Sequence, residues 1–153
     1  MSSSSDPFDL ARFTKAQSAY YTSVLQELAA GRKRGTWMDM FFPQLSALST
    51  LADADGISAL PEARAYFNHR LLGPRLLVCT RAALSHKHKT ALSIFGEQDA
   101  GQFHASMTLF DHADSGSDLF QEALERYWDG RPHERTLALL AEPPAAAAAG
   151  GGP

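Results

Sequence analysis

The chain has 153 residues, 44% of them hydrophobic and 20% charged, with 14 Lys and Arg against 17 Asp and Glu for a formal net charge of -3. That length supports one domain able to bury a core, and the near-balance of charge excludes the strongly basic field that nucleic acid or an anionic membrane surface selects. One cysteine, Cys79, excludes an intrachain disulfide, no apolar run approaches the roughly 18 residues of a membrane span, and residues 1–6 lack the features of a secretory signal, so the expected location is cytoplasmic.

Residues 1–5 are a polar serine tract and residues 143–153 an Ala/Gly/Pro tail with little to bury, so both are expected to be disordered around a single domain at 6–142. Asp6 suits an N-cap and Pro7 a first helical turn. Leu10, Phe13, Gln17, Tyr20, Val24 and Leu28 then recur every three or four residues up to Gly31, which predicts one long helix. Residues 31–45 pack Arg32, Lys33 and Arg34 ahead of Trp37, Met38, Met40, Phe41, Phe42 and Pro43. That block is apolar on nearly every side, so it should form a short helix ending before Pro43 that threads the core or lines a pocket.

Asp53, Asp55 and Gly56 suggest a turn. Ser58 is a candidate cap for a helix to about His69, with Glu62 in its first turn, and Pro74 can open another carrying Leu76, Leu77, Thr80 and Leu84. Thr90 to Phe95 reads as one or two turns closed by Gly96, and Asp99 as the cap of a helix bearing Phe103, Met107 and Phe110. Ser117 and Asp118 start a helix stopped by Gly130, and a last helix spans about 132–140. No stretch alternates like a half-buried strand. The expected fold is mainly α: a compact single domain of six to eight short helices, with room for one or two minor strands.

No nucleophile–base pair or phosphate loop stands out. His104 and His112 lie eight positions apart, about 12 Å along a helix and too far for one ion, while His86 and His88 flank Lys87 without a carboxylate or thiol alongside. The histidines therefore read as solvated, and no metal site is expected. Cys79, among Leu76, Leu77 and Val78, reads as a buried inert thiol. Asp39 stands in the most apolar block and needs a partner, for which Arg32, Arg34 and Arg75 are the candidates.

Three blocks occur in order: Asp6-Pro7-Phe8-Asp9-Leu10, Gly31-Arg32-Lys33 leading into Trp37-Met38 and Phe42-Pro43-Gln44, and Ser106-Met107-Thr108-Leu109-Phe110. Leu72-Gly73-Pro74-Arg75-Leu76, Ile94-Phe95-Gly96 and Thr136-Leu137 accompany them. Together they resemble the domain of unknown function 1810 family, bacterial proteins often labelled calpastatin. That label fits poorly here, since calpain inhibitors are disordered repeat proteins and this chain has helical periodicity and no repeat. The resemblance implies a small, mainly helical domain. In size, class and aromatic content the chain is also similar to the NADAR group, linked to NAD and ADP-ribose derivatives. The family usually reads Ser-His-Trp-Met-Trp where this chain has Gly35-Thr36-Trp37-Met38-Asp39, and a lysine and a serine where it has Gln102 and Ala105. The resemblance thus implies a retained apolar scaffold with an altered polar site.

The first functional expectation is a small-molecule site for a nucleotide or ADP-ribose-like compound. Trp37, Phe42 and Phe110 would form its walls, Lys33 and Arg75 would meet phosphate, and Gln44, Asp99, Ser106 and Thr108 would anchor polar groups. Any glycosidic chemistry would use Asp39 or Asp99 as acid or base. No cofactor, nucleic acid or membrane is expected. The alternative is a non-catalytic interaction or regulatory module that meets a protein partner through residues 37–45 or the tail. Exposure separates the two: a pocket needs a cavity beside Trp37 and Phe42, and an interface needs them at the surface.

Overall fold

The apolar stripes close on one another in nine helices among the described residues: α1 (Ala11–Ser18), α2 (Tyr21–Ala30), α3 (Met38–Phe41), α4 (Leu60–Asn68), α5 (Leu72–Leu84), α6 (Ala91–Phe95), α7 (Glu97–Ala113), α8 (Leu119–Trp128) and α9 (Glu134–Ala141). The computed structural model describes residues 6–48, 56–114 and 118–141. The expected terminal disorder, the Asp53–Asp55 turn and the helix start at Ser117 lie outside those residues. Among the described residues, no helix is long and apolar enough to cross a membrane.

Helix α7 is the centre of the molecule. It packs against α4, α6, α8 and α9, while α5 takes α2, α4 and α8 against its own sides. Its residues Phe103, Ala105, Met107, Leu109 and Phe110 are all buried, the pattern of a helix enclosed on most of its circumference. Phe103 is the aromatic hub: its ring lies 5.0 Å from Phe42, 4.5 Å from Phe95, 5.8 Å from Trp128 and 6.1 Å from Tyr127. The 37–45 block is core. Trp37, Met38, Phe41, Phe42 and Leu45 are buried.

The expected single N-terminal helix is two. Tyr20 turns to φ -119°, and its amide bonds the Gln17 carbonyl rather than continuing the α pattern. The bend aims Gln17 inward, where its amide nitrogen donates to the Met40 carbonyl at 2.7 Å and to the Tyr66 hydroxyl at 3.1 Å. Tyr20 is left outside. Asp6 does act as a cap, but four and five residues downstream: it accepts from the amides of Leu10 and Ala11 at 2.7 and 3.0 Å, because Asp9 takes a left-handed turn at φ 53°.

Three further starts differ in detail. Ser58 donates to Glu62 instead of capping α4, through its amide and hydroxyl. Helix α5 begins at Leu72, so Pro74 falls inside its first turn. Helix α7 begins at Glu97, which leaves Asp99 free for an ion pair. Thr90 and Ser93 close α6 with the reciprocal bonds of a capping box. The minor-strand expectation reduces, among the described residues, to one parallel bridge between Leu45 and Ile57.

Candidate functional site

Four of the nine nominated residues meet where the 31–37 loop crosses the start of α7. Lys33 forms an ion pair with Asp99 at 2.6 Å, donates to the Gly35 carbonyl and sits 5.3 Å over the Trp37 ring. The Trp37 indole packs on Phe41 and Phe42, and its Nε1 donates to Glu27 Oε1 at 2.8 Å. The same Glu27 oxygen accepts from the amides of Arg34 and Gly35. Burial pushes the Glu27 carboxyl up, but these donors and the Lys33 charge outweigh it and hold it below the usual range. Lys33, Asp99, Glu27 and the Trp37 Nε1 all have internal partners, so the arrangement is a clasp that fixes the loop on the core.

The other five are dispersed. Arg75 donates to Gln17 Oε1 at 3.1 Å and lies over the Tyr21 ring. Gln44 lends its carbonyl to the Ile57 amide. Phe110 is buried between Tyr66 and Phe120. Ser106 and Thr108 are buried on α7. Two clefts of about 630 and 660 Å³ open on the surface, and none of the nine residues lines either.

Asp39 is exposed, and its partner is not an arginine: Oδ1 accepts from Gln102 Nε2 at 2.9 Å. The same nitrogen donates to the Phe42 carbonyl at 3.1 Å. Cys79 is buried as expected, and burial pushes its thiol up to about 12.

His88 and His112 are exposed, in line with the solvated reading, while His86 and His104 correct it. His86 Nε2 meets the Leu28 carbonyl at 2.6 Å, and His69 Nδ1 accepts from the amides of Leu71 and Leu72. The densest histidine chemistry lies in the 660 Å³ cleft between α7, α8 and α9, lined by His104, Tyr127, Trp128, Asp129, Arg131 and His133 among others. His104 stacks flat on Trp128, centroids 4.1 Å apart and planes 6° from parallel, and stands edge-on to His133 at 5.3 Å.

Hydrogen bonds fix both tautomers. A carbonyl can only accept, so His104 Nε2 donates its proton to the Arg131 carbonyl at 2.8 Å and its Nδ1 carries the lone pair. His133 Nδ1 takes the Thr136 amide at 3.2 Å and lies 2.8 Å from the Thr136 hydroxyl, which leaves the proton on Nε2. The pair thus presents one acceptor and one donor. Burial lowers the His104 imidazole against the opposing effect of its bond to Arg131. Burial, then the charges of His104 and Arg135, lowers His133. Thr108 joins the two elements: its hydroxyl donates to the His104 carbonyl at 3.0 Å and accepts the His133 amide at 2.9 Å.

Of this cluster, the sequence reading singled out Thr108 and His104 without connecting them, and passed over His133. The signal present was His133-x-x-Thr136, an N-cap spacing with histidine where Ser, Thr, Asp or Asn is the usual cap. Among the described residues, no group of His, Cys, Asp and Glu has a metal-binding arrangement.

These features define an all-α domain with a polar, histidine-lined cleft beside its central helix. Over residues 7–140 the sequence matches the family described as protein of unknown function DUF1810, and the chain belongs to that family. It is similar to the conserved hypothetical protein Rv1873 from Mycobacterium tuberculosis, known from a crystal structure. The two share 46% identity over 90% of this chain and 100% of that one, with a TM-score of 0.87. No curated protein gives a significant match.

Proposed function

We propose that this domain binds a planar, anionic small molecule, a nucleotide or an ADP-ribose-like compound, in the cleft between α7, α8 and α9. The observation that carries this reading is the pair of fixed imidazoles, one offering a lone pair and the other an N–H at the same opening. A nucleobase or carboxamide edge pairs a donor with an acceptor in the same way. Arg131 and Arg135 line the cleft, are exposed, and enter no ion pair among the described residues, so they suit phosphate oxygens. Asp129 and Glu134 line it too and suit ribose hydroxyls. A volume near 660 Å³ fits within the range of about 300–1,000 Å³ common for small-molecule sites.

The nominated walls at Trp37, Phe42 and Phe110 are core and serve this reading only as scaffold. The interaction-module alternative loses residues 37–45 as its contact surface for the same reason. A thermal-shift panel of NAD, ADP-ribose, nucleotides and nucleosides tests the proposal. A ligand at a hundred times its dissociation constant adds about 2.7 kcal/mol. A shift of several degrees with a phosphorylated member, lost in Arg131→Ala/Arg135→Ala and in His104→Phe, is the expected result. A flat panel on folded protein, or a shift that survives both variants, would overturn it.

A further inference from the structure

We infer that α9 is held by a proton-sensitive latch, so that the cleft beside it is closed and ordered above the histidine titration range and released below it. The attachment of residues 131–136 to α7 runs through a short series of bonds. His104 Nε2 holds the Arg131 carbonyl, Thr108 Oγ1 holds the His133 amide, and His133 Nδ1 holds the Thr136 amide at the first turn of α9. The last of these requires a lone pair on Nδ1. A protonated His133 has none: its bond with the Thr136 hydroxyl can reverse, since a hydroxyl also accepts, but the bond with the Thr136 amide cannot.

Protonation also places a positive charge at a helix N-terminus, where the aligned backbone dipoles repel it. Titratable groups surround His133 on every side of the cleft, with Tyr127 on α8 among them. From α7 comes His104, edge-on at 5.3 Å, and from the loop after α8 come Arg131 and Asp129; Glu134 and Arg135 belong to α9 itself. The arginines and a protonated His104 repel the new charge. The two carboxylates attract it from exposed positions, where solvent weakens them. Burial of both rings adds to the repulsive side, and both imidazoles are lowered from their ordinary value.

The sign follows. Each ring prefers its neutral form in the closed state, so closure is complete above the ordinary histidine value and is lost as pH falls through the depressed one. An isolated helix as short as α9 does not persist in water, and with its cap lost it is held by its packing on α7 and by the two remaining bonds, so the fraction in which it opens rises. Access to the proposed ligand cleft is what this latch would regulate, and to that extent the inference rests on the preceding reading; the release of α9 does not.

Amide hydrogen exchange over residues 136–141, corrected for intrinsic rates and recorded from pH 8 to pH 5 without ligand, tests it. In the wild-type chain the exchange-competent fraction should rise by up to about tenfold per pH unit for each proton taken up. His133→Asn keeps a cap acceptor that does not titrate. Its α9 protection should match wild type at pH 8 and show at most the weaker dependence due to His104. The Thr136 amide shift in the wild-type chain should titrate with the His133 ring, which gives a readout free of any variant. Protection in wild type that does not change with pH, or a His133→Asn profile that follows wild type, would overturn the latch whether or not the cleft binds anything.

Discussion

Ser106 and Thr108 stand two positions apart on α7, both fully buried, yet their hydroxyls have opposite standing. Ser106 Oγ has no hydrogen-bond partner among the described residues, whereas Thr108 donates to His104 and accepts from His133. An unpaired buried hydroxyl costs desolvation with nothing in return, so Ser106→Ala should be neutral or stabilising by up to about 1 kcal/mol. Thr108→Val keeps the shape but strands the His133 amide, and should cost about 1–3 kcal/mol. Chemical denaturation of the two variants checks this, and a Ser106→Ala loss as large as that of Thr108→Val would refute it. Sequence reading nominated both as polar anchors. Spacing cannot separate a satisfied hydroxyl from an orphaned one, because the partner that decides it, His133, lies 25 residues away. Legibility failed the same way at Asp39: its need for a partner was readable, but Gln102, 63 positions on, was not.

Elements were read more securely than contacts because caps and stripes are local. The short helix from Thr90 closed by Gly96 and the glycine stop after α2 follow from neighbours within one or two turns. The break between α1 and α2 was not readable, since the stripe runs through it with no Gly or Pro, and what bends the chain is the burial of Gln17 against Met40 and Tyr66. Gly73 shows what a helix position can hide. In the first turn of α5 it reads as a mild propensity loss, yet a Cβ built there would lie 2.0 Å from the Phe67 carbonyl oxygen. This close approach, with His69 Nδ1 capping the Leu71 and Leu72 amides, sets the corner between α4 and α5. Alanine improves most helices by about 1 kcal/mol over glycine. Here Gly73→Ala should instead cost about 3 kcal/mol or more, because backbone rather than a flexible side chain must move. Thermal unfolding of that variant decides it, and a rise in midpoint would show that the corner relaxes freely.

Three segments distant in sequence are tied together at Arg12, which makes it a determinant of the whole molecule. Its Nη1 donates to the carbonyls of Phe8 and Asp9 at 2.6 and 3.0 Å, and its Nη2 to the Gly56 carbonyl at 2.9 Å and Glu62 Oε2 at 2.7 Å. Glu62 spends its other oxygen on the Ser58 amide and hydroxyl at 2.9 and 2.8 Å. The N-terminal turn, the strand-like bridge and α4 are thus joined by one guanidinium and one carboxylate, the latter with a side chain only 4% exposed. Removing Arg12 strands a buried charge, and the expected cost of Arg12→Ala is about 3–5 kcal/mol. Glu62→Gln has one acceptor oxygen for the two jobs, so its NH2 must face either Arg12 Nη2 or the Ser58 amide, donor against donor, and its cost should approach that of Arg12→Ala. Because the lost bonds span α1, the Gly56 bridge and α4, the Arg12→Ala transition should move as a unit. Far-ultraviolet dichroism and tryptophan fluorescence, which reports Trp37 and Trp128 in separate parts of the core, should keep a common urea midpoint at a lower concentration. Midpoints that separate would mean that the N-terminal turn and α4 melt apart from the α7 core. Arg12 would then be a local staple rather than a closure of the fold.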